Sequence, residues 1–456
     1  MSGIFGAYSK TGKPVLEEVY LGLYALQHRG QECAGIAWCD SGRIAAAKGM
    51  GLLHNAIEQQ CLTQKDASCA IGHVRYTPLP GSQQHNVLPI GANYARGAVA
   101  IAHDGLITNL RELTSQLEKQ GAIFQSSTDS EAILHLMAHK SHMQPLDALI
   151  DSLRKINGSY AVIVLLNGAL VAARDPWGFK PLIIGTKDDN YYAASESCAL
   201  DIVGADLLRD VEPGEIVVMD ERGTRSLRIH QNNGCRGMRC SFEYVYTARP
   251  DSIIDGRSVY DARKEMGKLL AEQSPCPEAE ITAGMPDSGT IAALGYAERS
   301  KIPLEMGVVR NRYVGRTFIQ PTQKVRELGV KIKLNPISEV FDNKKAVVID
   351  DSIVRGTTAE RVVSMIRESG ASEVHLRIAS PPVLHPCRYG IDTRKEETLA
   401  AVRMSIPELC IKVGADSLEY LTEENLTKAV GLPEDQICTA CFTGKYLAET
   451  DLKAGA

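Results

Sequence analysis

The sequence predicts a two-part chain: stacked α and β layers over about the first 230 residues, then a parallel α/β sheet with crossover helices. Three observations carry this. At 456 residues the chain is too long for one core. In the first half, β-rich runs alternate with helical stretches, and "YAVIVLLNGALVAARD" reads as two strands joined at the turn Asn167-Gly168. In the second half the pattern becomes helix–strand–helix–strand, the order of a parallel sheet. The polar stretch "DERGTRSLRIHQNNGCRGMRC" marks the boundary and divides the chain into residues 2–235 and 236–456.

Each element has its own signal. "SGIFGAYS" reads as a half-buried strand that starts at Ser2, a placement that suggests chemistry at the chain terminus. "VLEEVYLGLYALQH" carries Leu16, Val19, Leu23 and Leu26 on one helical stripe, and "SEAILHLMAHK" and "PLDALIDSLRKI" also read as helices. Beyond the boundary, "SVYDARKEMGKLLAEQ" is helical and "AEITAGMPDSGT" is a strand followed by a loop. "KKAVVID" is a buried strand, "TTAERVVSMIRESG" a helix ending at Gly370, and "SEVHLRIAS" a further strand. The last fifty residues read as helical and loop-rich.

Composition excludes several classes. With 44% hydrophobic and 23% charged residues the chain is an ordinary globular protein. Its net charge of -5, from 50 basic and 55 acidic residues, leaves no nucleic-acid footprint. No apolar run reaches the ~20 residues that span a bilayer, so no membrane partner is expected. Glu17 and Glu18 fall where a signal peptide would be apolar, and the expectation is a cytoplasmic protein. In that reducing setting the 12 cysteines are thiols or metal ligands rather than disulfides. Cys33, Cys61, Cys198 and Cys410 sit among apolar neighbours and read as core residues, whereas Cys438 and Cys441 form a C-x-x-C pair.

"KKAVVIDDSIVRGTTAERVV" is the most informative stretch. A buried strand ends in Asp350 and Asp351, and Ser352, Arg355, Gly356, Thr357 and Thr358 lead into a helix. Unpaired N–H groups at a helix start bind anions, and adjacent carboxylates suit ribose hydroxyls or a hydrated Mg²⁺. An N-capped helix beside two solvated acids is the alternative that these residues leave open. The full string resembles the PRPP-binding motif of the type I phosphoribosyltransferases. "AGMPDSGT", with Asp287, Ser288 and Gly289, resembles that family's pyrophosphate loop. "VVRNRYVGRTFIQPTQKVRE", with Arg310, Arg312 and Arg316, resembles the loop that closes over PRPP. The resemblance implies Mg²⁺ held at Ser288, Asp350 and Asp351.

"LQHRGQECAGIA", "GHVRYTP", "IAHDGLITN", "SSTDSEAIL" and "RDPWGFKPL" follow one another in the first half. Together they resemble the glutamine amidotransferase domain of the N-terminal-nucleophile class, which implies a four-layer αββα fold of the α+β type. The whole chain is similar to the amidophosphoribosyltransferase family. That resemblance implies ammonia transfer from glutamine to PRPP, the first step of purine synthesis, and a homotetramer or homodimer inhibited by purine nucleotides. It assigns the nucleophile position to Ser2, the oxyanion-hole pair to Asp104 and Gly105, and the glutamine carboxylate and amine to Arg75 and Asp129. It also implies a [4Fe–4S] cluster on Cys240, Cys387, Cys438 and Cys441, with a zinc site or reduced thiols as the alternative. Cys235 has no assigned role.

Three positions depart from the family. Ser2 stands where cysteine is usual, Asp104 where asparagine is usual, and Arg310 where lysine is usual. An alcohol is far less acidic than a thiol of pKa about 8.5, so an α-amine base of pKa ~8 activates it poorly. That base also requires removal of Met1. An ionised Asp104 would repel the oxyanion to which an amide would donate. The expectation is an impaired glutaminase, through either an introduced Cys-to-Ser exchange or a natural loss. An ammonia-dependent phosphoribosyltransferase and a non-catalytic PRPP or nucleotide sensor are the alternatives.

Overall fold

A computed structural model describes residues 1–63, 65–76, 84–230, 237–311, 334–391, 393 and 396–447. Arg312, Arg316, Cys235, the 235/236 boundary and the side chain of Cys61 lie outside the described residues.

The first half is two antiparallel sheets stacked face to face. The seven-stranded sheet runs Asp206–Asp210, Ile183–Lys187, Asn190–Ala194, Ser2–Ser9, Cys69–Arg75, Cys33–Asp40, Arg43–Met50. The six-stranded sheet runs Gly223–Arg228, Glu215–Asp220, Ala169–Arg174, Gly158–Leu166, Gly97–Ile107, Ile90–Tyr94. Ile4, Ile71 and Ala193 of one sheet meet Ala102, Ile163 and Leu170 of the other in a closed inter-sheet core. Helices Leu16–Ala25 and Cys198–Val203 cover the outer face of the first sheet. Leu110–Lys119, Asp129–Ala138 and Pro145–Leu153 cover that of the second, which completes the αββα order. Asn167 and Gly168 take φ of +50° and +85°, as the tight turn between Gly158–Leu166 and Ala169–Arg174 requires.

The N-terminal strand departs from the half-buried expectation. Ser2 to Ala7 are all buried, because this strand is central in its sheet and covered on both faces. Phe5 packs under the Leu16–Ala25 helix while Ile4 faces the second sheet. Residue 2 is thus fixed at the end of an immobile central strand.

The second half holds a five-stranded sheet in the order Leu304–Glu305, Ile281–Gly284, Lys345–Asp350, Glu373–Ile378, Ser417–Tyr420, all of it parallel. Along "AVVI", Val347 and Ile349 enter one core with helices Val259–Gln273 and Gly289–Ser300. Ala346 and Val348 enter the other with helices Thr357–Glu368 and Ile406–Val413. Each buried valine or isoleucine there contributes about 1.5–3 kcal/mol, so the strand end carrying Asp350 is rigid. The edge strand Ser417–Tyr420 is an element that the helical and loop-rich expectation for the C-terminal residues lacked. It is four residues long with Glu419 exposed, too short for its alternation to register.

Buried charge joins the halves. Arg174 donates to both oxygens of Asp255 at 2.8 and 3.0 Å. Ser159 Oγ donates to the Tyr389 carbonyl at 2.8 Å, and Gly390 lies directly against Gly105.

Candidate functional site

The first site assembles around Ser2. Its strand pairs with Cys69–Arg75 so that Ser2 and Arg75 are register partners, and the Ser2 N–H donates to Asp104 Oδ1 at 2.8 Å. Met1 precedes it, with its ammonium donating to the Gly390 carbonyl at 3.2 Å, and burial lowers that amine to about 6. Asp129 opens a helix; its Oδ1 lies 3.2 Å from His103 Nδ1, and its Oδ2 accepts from the Ile107 N–H at 3.3 Å. Burial would raise the Asp129 carboxyl, but His103 and Arg75 hold it well below the usual range. Ser2, Arg75, Asp104, Gly105 and Asp129 thus share one end of the two stacked sheets.

Beneath Ser2 lies a charge network that the sequence reading missed. Arg29 is fully buried. It donates to the Ser2 carbonyl at 2.8 Å, Asp104 Oδ2 at 3.1 Å, Glu196 Oε1 at 2.6 Å and Glu243 Oε2 at 3.0 Å. Lys180 Nζ donates to Glu243 Oε1 at 3.2 Å, and His28 Nε2 lies 2.8 Å from Glu196 Oε1. Burial alone would raise Asp104, but the charges of Lys180 and Arg29 prevail and hold it at about 2. Asp104 is therefore an ionised acceptor, with one oxygen on Ser2 and the other on Arg29. Gly105 beside it has φ of +145°, and a Cβ there would come within 2.0 Å of the Ser159 carbonyl oxygen, so only glycine fits. Arg29 lies within the motif "LQHRGQECAGIA", where its polar neighbours give no sign of burial, while Glu243, between the aromatic residues Phe242 and Tyr244, offered the one available signal.

The second site lies at the carboxyl edge of the parallel sheet, where open α/β sheets bind ligands. Strands Ile281–Gly284 and Lys345–Asp350 are neighbours, so the Asp287–Gly289 turn abuts the Asp350–Asp351 pair. Ser288 Oγ donates to Asp351 Oδ1, and Ser352 Oγ donates to Asp351 Oδ2 at 2.6 Å. The Asp351 N–H donates to Asp350 Oδ1 at 2.9 Å. A Cβ at Gly289 would lie 2.5 Å from the Ile349 carbonyl oxygen, which explains glycine where the two turns touch. Burial and the adjacent Asp351 push Asp350 well above the usual carboxylate range. Such a crowded acid pair is what a divalent cation would relieve. Gly356, at φ +81°, opens the helix Thr357–Glu368; Arg355, Thr357 and Thr358 are exposed at its start, ready for an anion. Arg310 donates to the exposed Asp287.

The four cysteines of the expected cluster converge from three segments. Cys240 and Cys438 are register partners in a short parallel pair. They line one apolar cavity with Cys387, Cys441, Phe179, Phe242 and Tyr389. The N–H groups of Tyr389 and Ile391 point at Cys387 Sγ at 3.3 and 3.4 Å. Burial pushes the Cys240 thiol up to about 12 and raises Cys438 and Cys441 as well, so these thiols need a cation to ionise. Among the described residues, no three of the four sulfurs lie within 4.8 Å of one another. Four thiolates on one zinc, at about 2.3 Å each, would be closer than that.

An αββα half joined to an open parallel α/β half is the architecture of a glutamine amidotransferase joined to a phosphoribosyltransferase. The description of a glutamine amidotransferase domain matches residues 82–201. The amidophosphoribosyltransferase of Bacillus subtilis is 45% identical over 98% of this chain and 94% of its own length. That of Methanocaldococcus jannaschii is 44% identical over 99% of both. The solved glutamine PRPP amidotransferase from B. subtilis, complexed with ADP and GMP, superimposes with a TM-score of 0.91 at 45% identity, covering 98% of this chain and 97% of that one. The chain belongs to the amidophosphoribosyltransferase family. Among the described residues no helix is long and apolar enough to cross a membrane.

Proposed function

We propose that the chain transfers ammonia to PRPP in the cytoplasm, giving 5-phosphoribosylamine and pyrophosphate in purine synthesis, with glutamine as the ammonia source. The observation that carries this reading is the joined cradle at the sheet edge: Asp350, Asp351 and Ser288 beside the start of the Thr357–Glu368 helix. Ammonia attacks the anomeric carbon as its bond to pyrophosphate breaks, and one ammonia proton leaves to solvent. Mg²⁺ at Ser288, Asp350 and Asp351 would neutralise charge on the pyrophosphate. Arg310 and the N–H groups at the Thr357 helix start orient the phosphates. Asp350 and Asp351 position the ribose hydroxyls or the hydrated cation.

In the first half, Arg75 and Asp129 hold glutamine. Ser2, freed of Met1, gives its hydroxyl proton to its own α-amine and attacks the amide carbon. The C–N bond breaks to release ammonia, and water then hydrolyses the ester to glutamate. Asp104, ionised and already bonded to Arg29, cannot donate to the oxyanion, which leaves the Gly105 backbone as donor. Both features slow glutamine hydrolysis. They favour a second reading, a phosphoribosyltransferase that draws on free ammonia. The four-cysteine cavity fits a [4Fe–4S] cluster better than a single zinc, because its sulfurs are spread and N–H groups face Cys387. Purine nucleotides are the proposed inhibitors and a homodimer or homotetramer the proposed assembly. Pyrophosphate release and trapping of the amine product, with PRPP, Mg²⁺ and ammonium, test the activity. Failure of both would refute it.

A further inference from the structure

The opposite edge of the parallel sheet, away from the phosphate cradle, carries a second cluster of ligating atoms. Cys276, Glu278 and His375 each present a donor atom, and the three lie within 4.8 Å of one another. Cys276 and His375 are 1% and 5% exposed, whereas Glu278 is exposed and opens the group to solvent. Cys276 and Glu278 belong to the loop that enters strand Ile281–Gly284, and His375 belongs to strand Glu373–Ile378. Strand Lys345–Asp350 runs between those two, so the cluster bridges its N-terminal end.

The imidazole is oriented from behind. His375 Nδ1 lies 2.9 Å from Ser417 Oγ, and Arg377 donates to the same oxygen at 2.9 Å. Nε2 faces two carboxylates, Glu373 Oε2 at 3.2 Å and Glu278 Oε1 at 3.8 Å. Lys345 occupies the other oxygen of Glu373 at 2.6 Å, which leaves Oε2 turned toward the ring.

We propose that Cys276 Sγ, His375 Nε2 and a Glu278 oxygen bind a divalent transition metal of the zinc class. Thiolate, imidazole and carboxylate ligands select zinc-like ions over magnesium or calcium. Ser417 Oγ fixes Nδ1 and so orients the ring with Nε2 toward the metal, the role that outer-shell partners play for a ligating histidine. The metal replaces the Cys276 proton, which leaves to solvent. Burial holds that thiol at about 12, so the exchange is driven by the ion. The site lies away from both active sites, so its effect is on stability, by tying the loop before one strand to another strand two positions away.

Cobalt is the direct probe. The full-length, purified protein is dialysed against Co²⁺, and bound cobalt and the near-ultraviolet thiolate-to-cobalt band are measured. Cys276→Ser should abolish the part of the band due to this site. Glu278→Gln, at an exposed position that leaves the core intact, should weaken binding about tenfold or more. Zinc should raise the thermal midpoint of the wild type and not that of Cys276→Ser. Equal cobalt content and an equal band in the wild type and both variants would overturn the proposal, as would failure of the wild type to retain cobalt. Any band surviving in Cys276→Ser belongs to the other cysteines.

Discussion

The glutamine site and the phosphoribosyl site are built in opposite ways. Around Ser2, two cations and three carboxylates are sealed from water: Arg29 and Lys180 against Asp104, Glu196 and Glu243. These partners are 63 to 214 residues apart, and Glu243 belongs to the second half of the chain. At the phosphoribosyl site most of the chemistry sits on one nine-residue string, Asp350 to Thr358, with exposed hydroxyls and an exposed arginine, joined by the Asp287–Gly289 turn and Arg310. Buried networks gain rigidity, but each member is left stranded when a partner is removed. An open cradle depends on an added cation for its charge balance. The first site should therefore fail through structure and the second through chemistry.

The largest expected effect is chemical. Asp351→Asn should lower pyrophosphate release by about 10²–10³-fold with ammonium and glutamine alike, with no change in fold by circular dichroism. A loss confined to glutamine would break the comparison. Ser2→Cys, with Met1 removal checked by mass, should raise the glutamine-dependent rate by at least ~10²-fold and leave the ammonium-dependent rate unchanged.

Structural failure is expected from Glu243→Gln. It removes the charge shared by Arg29 and Lys180 and should cost about 3–5 kcal/mol in urea unfolding, because both cations stay buried. The smallest effect is a pH dependence. Asp104 titrates at about 2 in the folded protein against an ordinary value near 3.8. Its contribution, on the order of 2 kcal/mol, is complete above pH ~4 and disappears as pH falls toward 2. Asp104→Asn should lack that part of the acid loss, and matching acid curves for the two proteins would show that Asp104 is not held as described.

The same contrast explains what the sequence disclosed. "VVIDDSIVRGTT" was legible because strand, carboxylates, glycine and helix start are contiguous, so local rules suffice. Stacked layers and the parallel sheet were legible from periodicity, whereas the αββα order came with the resemblance to the glutamine amidotransferase domain. The network beneath Ser2 was not, since lone charged residues are exposed by default and only the folded chain brings Arg29 to Glu243. Ser2–Ser9 was read as half-buried because what covers its second face, the Leu16–Ala25 helix, is not a property of the strand itself. The adjacency of Cys240 and Cys438 required the parallel register.

The central claim is that one chain carries a competent phosphoribosyl site and a hindered glutamine site. Its most direct test is the ratio of two rates in one preparation: pyrophosphate release from PRPP and Mg²⁺ with saturating ammonium at raised pH, and with saturating glutamine. The account predicts turnover with ammonium and a glutamine rate at least ~10²-fold lower. Equal rates, or no release with either donor, would contradict it.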